Sequence, residues 1–255
     1  MTITFSPPYT SLTRSVQTLQ EKGFALLSSD DFFSLSEHSR SDWEILAQSW
    51  HHLTEDQYLK DGGKYRQRKH ASLVVTEQSI EITPYRPHFQ PVSYNALHGG
   101  MNRIFTPCDE TFIKHPAMYD FLLQLSDLFT QAMMKSRPEV TPWYVEAHQF
   151  RIDTAQGIGR PTPEGAHRDG VNFVAVLLVD RHLVKGGESR VFDATGPHGE
   201  RFTLENPWTL LLLDDTKVLH ETTPIQPENR LQPQNSWRDT LVLTYRQDGF
   251  LQAQN

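Results

Sequence analysis

Gly165-Ala166-His167-Arg168-Asp169-Gly170 stands directly ahead of the apolar run Val171 to Val179, and the reading of this stretch decides the fold. The run is rich in branched and aromatic residues and reads as a strand. In an extended segment residues i and i+2 face the same side, so His167 and Asp169 can reach one ion. A third candidate ligand, His220, closes the run Val218-Leu219 after an Asp214-Asp215 turn. Strand ends are rigid, which suits a ligand that must be held in place.

Further strands are expected around this centre: Tyr144 to Asp153, Ser189 to Phe192, Trp208 to Leu213, Val218 to His220 and Thr240 to Tyr245. Gln156 to Gly165 is a Gly/Pro loop, and Thr195-Gly196-Pro197-His198-Gly199 a hairpin connection. Short strands separated by frequent turns suggest a sandwich or jelly roll. Upstream, Leu12 to Lys22 has helical spacing and ends at Gly23, Phe24 to Leu27 reads as a strand, and helices are expected after Ser28-Ser29-Asp30-Asp31 and over Ser41 to His51. His115 to Ser136 is the clearest helix, with Met118, Phe121, Leu122, Leu125, Phe129 and Met133 on one side as core, and Pro138 and Pro142 end it. From Asp61 to Pro107 the sequence is irregular, a composition typical of covers and binding loops. Arg66, Arg68, Gln90, Asn95 and Arg103 are candidates there to line a polar cavity. The expected class is mainly β with flanking helices (α+β). It forms one domain over residues 1–255, with 1–140 a helical layer and covering loops and 141–250 the β core.

The 255-residue chain has a net charge of −7 and no dense basic block. That argues against nucleic acid or an anionic membrane as the main partner. One cysteine, Cys108, excludes an intrachain disulfide and a cysteine-rich zinc site. Met1 to Thr10 shows no secretory signal, and no apolar run is long enough to span a bilayer. A reducing cytoplasm is the expected compartment.

With 12 histidines, a His-x-Asp arises easily by chance, and the chain contains a decoy, His198-Gly199-Glu200, in the hairpin cluster. Context separates them, because His167, Asp169 and His220 all lie at strand ends. Two histidines and one carboxylate leave open positions on an octahedral metal, the arrangement of non-haem Fe(II) oxygenases. Zinc accepts the same ligands, so a non-catalytic metal-binding jelly roll is the alternative. Arg238-Asp239-Thr240 opens the last strand. An arginine fork beside a hydroxyl can hold a carboxylate, which a structural metal site has no use for. Arg230 and Arg246 are rivals for that role.

Gln149-Phe150-Arg151-Ile152, the Gly165–Gly170 box, Gly186-Gly187-Glu188-Ser189, His220 and Arg238-x-Thr240 together resemble the Fe(II)/2-oxoglutarate-dependent dioxygenase superfamily. Tyr65-Arg66-x-Arg68, Phe89-Gln90-Pro91, Tyr94-Asn95 and Gly99 to Phe105 are similar to its bacterial free-amino-acid hydroxylases of the L-isoleucine dioxygenase type. The resemblance implies a double-stranded β-helix (jelly-roll, cupin-like) core. It also implies Fe(II) on His167, Asp169 and His220, and 2-oxoglutarate held by Arg238 with Thr240. O2 is consumed, 2-oxoglutarate gives succinate and CO2, and a free aliphatic L-amino acid of the isoleucine, leucine or methionine type is hydroxylated. For such a substrate Arg66, Arg103 or Arg151 can take the carboxylate, and Glu146, Asn95 or Glu188 the ammonium. Gln149 can touch either co-substrate or substrate. A peptide or another small metabolite is the alternative substrate.

Overall fold

The structure is a computed structural model and describes residues 6–95, 97, 99–133 and 141–253. The N-terminal part contains α1 (Ser15–Lys22), β1 (Phe24–Leu27), α2 (Ser29–Ser36), α3 (Arg40–Ala47), β2 (Thr54–Glu55), β3 (Arg66–Val75), β4 (Ile80–Ile82), β5 (His88–Phe89), β6 (Asn102–Arg103), α4 (Glu110–Ile113) and α5 (Pro116–Met133). The rest is strand: β7 (Trp143–Asp153), β8 (Phe173–His182), β9 (Val184–Gly186), β10 (Glu188–Asp193), β11 (Gly199–Thr203), β12 (Leu210–Asp214), β13 (Val218–Thr222), β14 (Ile225–Pro227) and β15 (Trp237–Arg246). Met1 to Phe5 and Pro138, on which two expectations rest, lie outside the described residues, as does the expected end of α5 at Ser136.

Two sheets face one another in a jelly roll. The major sheet runs β1-β12-β8-β15-β7-β3-β2 with β4 on β3, and the minor one β11-β10-β13. A backbone bridge between His167 and His220 adds the ligand segment to the edge of the minor sheet. The helices cover the outer face of the major sheet. Local chemistry sets their ends: Gly23 takes the left-handed conformation (φ 76°) that stops α1, and Ser39 with Asp42 forms a capping box on α3. Met118, Phe121, Leu122, Leu125 and Phe129 form the buried stripe of α5. Phe32, Trp43 and Phe121 pack edge to face at 4.9 to 5.3 Å. Among the described residues no helix is long and apolar enough to cross a membrane.

Strand alternation divides the major sheet's residues between two environments. Val145, Ala147, Ala175, Leu177, Leu210, Leu212, Leu241 and Leu243 face the helices. Val174, Leu178, Leu211 and Leu213 face the minor sheet, packed on Phe24, Val191, Phe202 and Val218. Towards β15, β7 and β3 the same inner face turns polar and lines a cavity.

Two expectations need correction. The stretch from Asp61 to Pro107 is not uniformly irregular, because Arg66–Val75 pairs with β7 along its whole length. Its inward side chains are Arg66, Arg68, His70 and Ser72, so the apolar alternation that normally marks a strand is missing there. Nor is residue 140 a structural boundary: β1, β2 and β3 belong to the major sheet.

Candidate active site

His167, Asp169 and His220 converge, with one ligand atom from each lying within 4.8 Å of the others. Reciprocal backbone hydrogen bonds fix the two histidines to each other: His167 N–H to His220 O at 3.1 Å and His220 N–H to His167 O at 3.0 Å. Nδ1–H of His167 donates to the Gly165 carbonyl at 2.9 Å, which leaves Nε2 bare for a metal. The Asp169 oxygens lie 3.8 Å from His167 Nε2 and 3.6 Å from His220 Nε2.

Two residues orient this carboxylate. Gln90 Nε2 donates to Asp169 Oδ1 at 2.9 Å. The buried Asp215 accepts from the backbone N–H groups of Asp169, Gly170 and Val171 at 2.8 to 3.1 Å, clamping the turn that presents the ligand. Gly170 is required there: its φ is 80°, and a Cβ would meet the Tyr94 ring at 2.5 Å. Burial lowers the His220 imidazole well below its usual range, with His167 adding to it, so the nitrogen is kept as a neutral donor to metal. The donor set, two imidazoles and one carboxylate open on the cavity side, fits Fe(II).

The cavity beside the cluster is lined by Arg238 and Thr240 from β15, His148, Phe150 and Ile152 from β7, and Arg66 and Arg68 from β3. Gln90, Asn95 and Arg103 close it from the β5–β6 segment, and Glu164, Thr162, Thr222 and Val176 complete the wall. Arg238 is 3% exposed, its Nε has no partner, and burial followed by the neighbouring Arg181 charge pushes it down to about 9. A buried cation with spare donors beside the metal cluster fits the distal carboxylate of 2-oxoglutarate.

The sequence-derived candidates therefore separate. Arg66, Asn95, Arg103, Arg238 and Thr240 line the cavity with the metal cluster. Gln149 and Arg151 do not, because they alternate with His148 and Phe150 and so face the helices. Gln149 Nε2 donates to Ser49 Oγ at 2.7 Å. Arg151 forms a two-pronged pair with Asp239 at 2.8 and 2.6 Å, directly opposite it across β15. Glu188 is bound by Arg190 at 2.7 Å on the minor sheet, away from the cavity. Glu146 points inward but is buried behind the wall, accepting from His70 at 3.2 Å and His88 at 3.0 Å. Of the rival clamps, Arg246 binds backbone carbonyls beyond β15 and Arg230 is exposed. His198 and Glu200 are exposed at the β10–β11 hairpin, and neither belongs to a ligand cluster among the described residues.

Sequence reasoning missed His148, Glu164 and the clamping role of Asp215. For His148 a signal existed: Trp143, Val145 and Ala147 alternate as core residues, which puts even-numbered β7 residues on the opposite face. Together with His70, His88 and Glu146, His148 forms a second, fully buried group of metal-ligand type.

The sequence matches the 2OG-Fe dioxygenase family over residues 47–244. A bsmA homologue from Methylobium petroleophilum PM1 is 45% identical, with 98% of each chain covered and a TM-score of 0.90. IDO from Bacillus thuringiensis is 18% identical over 97% of this chain and 100% of that one, with a TM-score of 0.70. The Fe(II)/(alpha)ketoglutarate-dependent dioxygenase TqaL is 15% identical over 92% and 87%, with a TM-score of 0.67. No curated protein matches by sequence. The chain belongs to the 2OG-Fe dioxygenase family, and its cofactors are Fe(II) and 2-oxoglutarate.

Proposed function

We propose that this member of the family hydroxylates a free aliphatic L-amino acid of the isoleucine, leucine or methionine type. The observation that carries the reading is the cavity wall: Arg66, Arg68 and Arg103 are 5, 3 and 3% exposed and enclose the space beside the metal cluster. Guanidinium groups this deeply buried suit a small charged molecule taken in whole, whereas a peptide needs an open groove.

Fe(II) and 2-oxoglutarate supply the oxidising power, one atom of O2 entering a substrate C–H bond and the other leaving in succinate as CO2 is released. The protein's share is to hold and to shield. His167, Asp169 and His220 hold the metal, and Gln90 and Asp215 keep the carboxylate aimed at it. Arg238, with Thr240 two residues on, takes the distal carboxylate of the co-substrate, a use for an arginine that a purely structural zinc site lacks. Asn95 and Glu164, whose side chains meet at 3.5 Å on the cavity wall, bring oxygen atoms suited to a substrate ammonium. The β5–β6 segment, carrying Gln90, Asn95 and Arg103, covers the cavity and excludes water from the reacting groups.

The test is anaerobic reconstitution with Fe(II) and 2-oxoglutarate, exposure to O2, and a screen of free amino acids for coupled succinate and hydroxylated product. One-to-one coupling with an aliphatic L-amino acid is expected. Coupling with peptides alone, or succinate formation that no amino acid stimulates, would sink the reading.

A further inference from the structure

The arginines of this molecule differ in what neutralises them. Arg151 is held by both oxygens of Asp239, and Arg66 donates through Nε to Asp56 at 2.8 Å. Arg68 is as deeply buried but has no such partner. Its nearest carboxylate oxygen is Asp56 Oδ2, 3.7 Å from Nη1 and already engaged by Arg66. Its close contact is Nδ1 of His148, 2.7 Å from Nη2. A guanidinium only donates, so that imidazole nitrogen accepts and the ring is neutral. Burial, followed by the Arg68 charge, holds His148 well below its usual range and keeps it so. Such a partner orients the guanidinium without cancelling its charge.

The rest of its surroundings have the same character. Phe105 and Phe150 lie 3.7 and 4.4 Å from the Arg68 carbon Cζ, excluding water and fixing the plane. Arg103, near enough to repel it, is bound at 2.8 Å by another neutral acceptor, Gln90 Oε1. Three buried guanidiniums on one cavity wall thus share a single close carboxylate, Asp56, among the described residues. A buried cation is costly without a counter-charge. Arg238, the co-substrate anchor, shows the same pattern of burial and spare donors. In the sheet register Arg238 and Arg66 both oppose Ile152 from either side of β7. Arg68, one inward position along, therefore lies roughly 10 Å across the sheet from the Arg238 strand. The cavity has two positive poles, and 2-oxoglutarate uses one.

We propose that Arg68, with Arg103 as second donor, is the anchor for the substrate's carboxylate, held ready by His148 between Phe105 and Phe150. This rests on the amino-acid dioxygenase reading above. It makes one cavity the receptor for two carboxylates, and it points the substrate's other end away from β3.

The experiment measures calorimetric binding to protein loaded with Mn(II) and 2-oxoglutarate, which does not turn over. The ligands are the amino acid found in the succinate screen and its carboxamide. Wild type is expected to bind the acid about 100-fold more tightly than the amide. Arg68→Met should weaken the acid by about that factor, leave the amide within about threefold, and leave 2-oxoglutarate affinity unchanged. Equal affinity of acid and amide in wild type overturns the proposal without any variant, so it remains testable if Arg68→Met does not fold. Undiminished acid binding by Arg68→Met also overturns it, while the amino-acid reading stands. If no free amino acid binds or supports succinate formation, that broader reading fails and this one with it.

Discussion

Two groups of histidines and carboxylate meet the same cavity, the second through His88 and His148, and they differ in how the carboxylate is engaged. At His167, Asp169 and His220 the imidazole nitrogen of His167 left free by Gly165 faces the cavity, and the Asp169 carboxylate is engaged by the neutral amide of Gln90. At His70, His88, Glu146 and His148 the carboxylate is instead tied up inside the group. Glu146 gives one oxygen to His70 and the other to His88, and His148 gives Nδ1 to Arg68. Arg86 stands 3.7 Å from Glu146 as well. Burial alone would raise the Glu146 carboxyl, but His88 and His70 outweigh it and hold it low, so the group is an internal counter-ion. Closeness is the same in both places, and the second group has four residues to the first group's three. A carboxylate held by a neutral amide, and not by two imidazoles and a guanidinium, separates the metal site from the polar core.

The largest effect that tests this contrast is at the first group. Asp169→Ala should reduce bound iron and 2-oxoglutarate turnover to background, read by metal analysis and succinate assay, with the fold intact. Glu146→Gln should do the reverse. Iron content per folded protein stays unchanged, while thermal stability falls by about 3–5 kcal/mol, because Arg86 loses its buried counter-ion and His70 and His88 lose the carboxylate between them. Loss of iron from Glu146→Gln without loss of stability would make the second group a metal site after all.

Acid provides the next test. His88 is held down at about 4, first by burial and then by Arg103 and Arg68, against the pull of Glu146. The unfolded chain binds this proton near pH 6.5 but the folded one only near 4. Between those values the unfolded state carries more protons, and stability is lost as pH falls. The full contribution is present above pH 6.5 and amounts to ~3 kcal/mol. Melts of metal-free wild type and His88→Gln between pH 7 and 4 should show a shallower acid slope in the variant; identical slopes would remove His88 from the account.

The smallest effect is expected next door. Gln149→Leu alters a residue between His148 and Phe150 but on the helical face. It removes a hydrogen bond to Ser49 together with a buried oxygen that lacks a partner, so stability should shift by no more than about 1 kcal/mol. KM for 2-oxoglutarate should stay at the wild-type value; a tenfold rise would return Gln149 to the site.

That last residue marks the limit of what could be read from the chain alone. His167, Asp169 and His220 were legible because their neighbours Val171 to Val179 and Val218-Leu219 have the strong apolar signature of strands, and ligands at strand ends stand out against it. Arg238 was legible for the same reason, ahead of Leu241 to Tyr245. Gln149 and Arg151 were misplaced because strand parity was not carried through from Trp143, Val145 and Ala147. Strand β3 was hidden because its inward side chains serve the cavity: Arg66, Arg68 and His70 look like loop residues until the partner strand shows that they are buried. Substrate-facing walls are where composition departs from the pattern that reveals strands.

The pair of backbone hydrogen bonds between His167 and His220 has a bearing on upkeep. These bonds and the clamp from Asp215 are made by backbone groups and by an acid outside the ligand set, so the ligand positions are set by the fold itself. An enzyme that handles oxygen loses its iron to oxidation from time to time. Iron removed by a chelator is therefore expected to be replaceable by added Fe(II) without unfolding, which recovery of succinate formation after chelation would check.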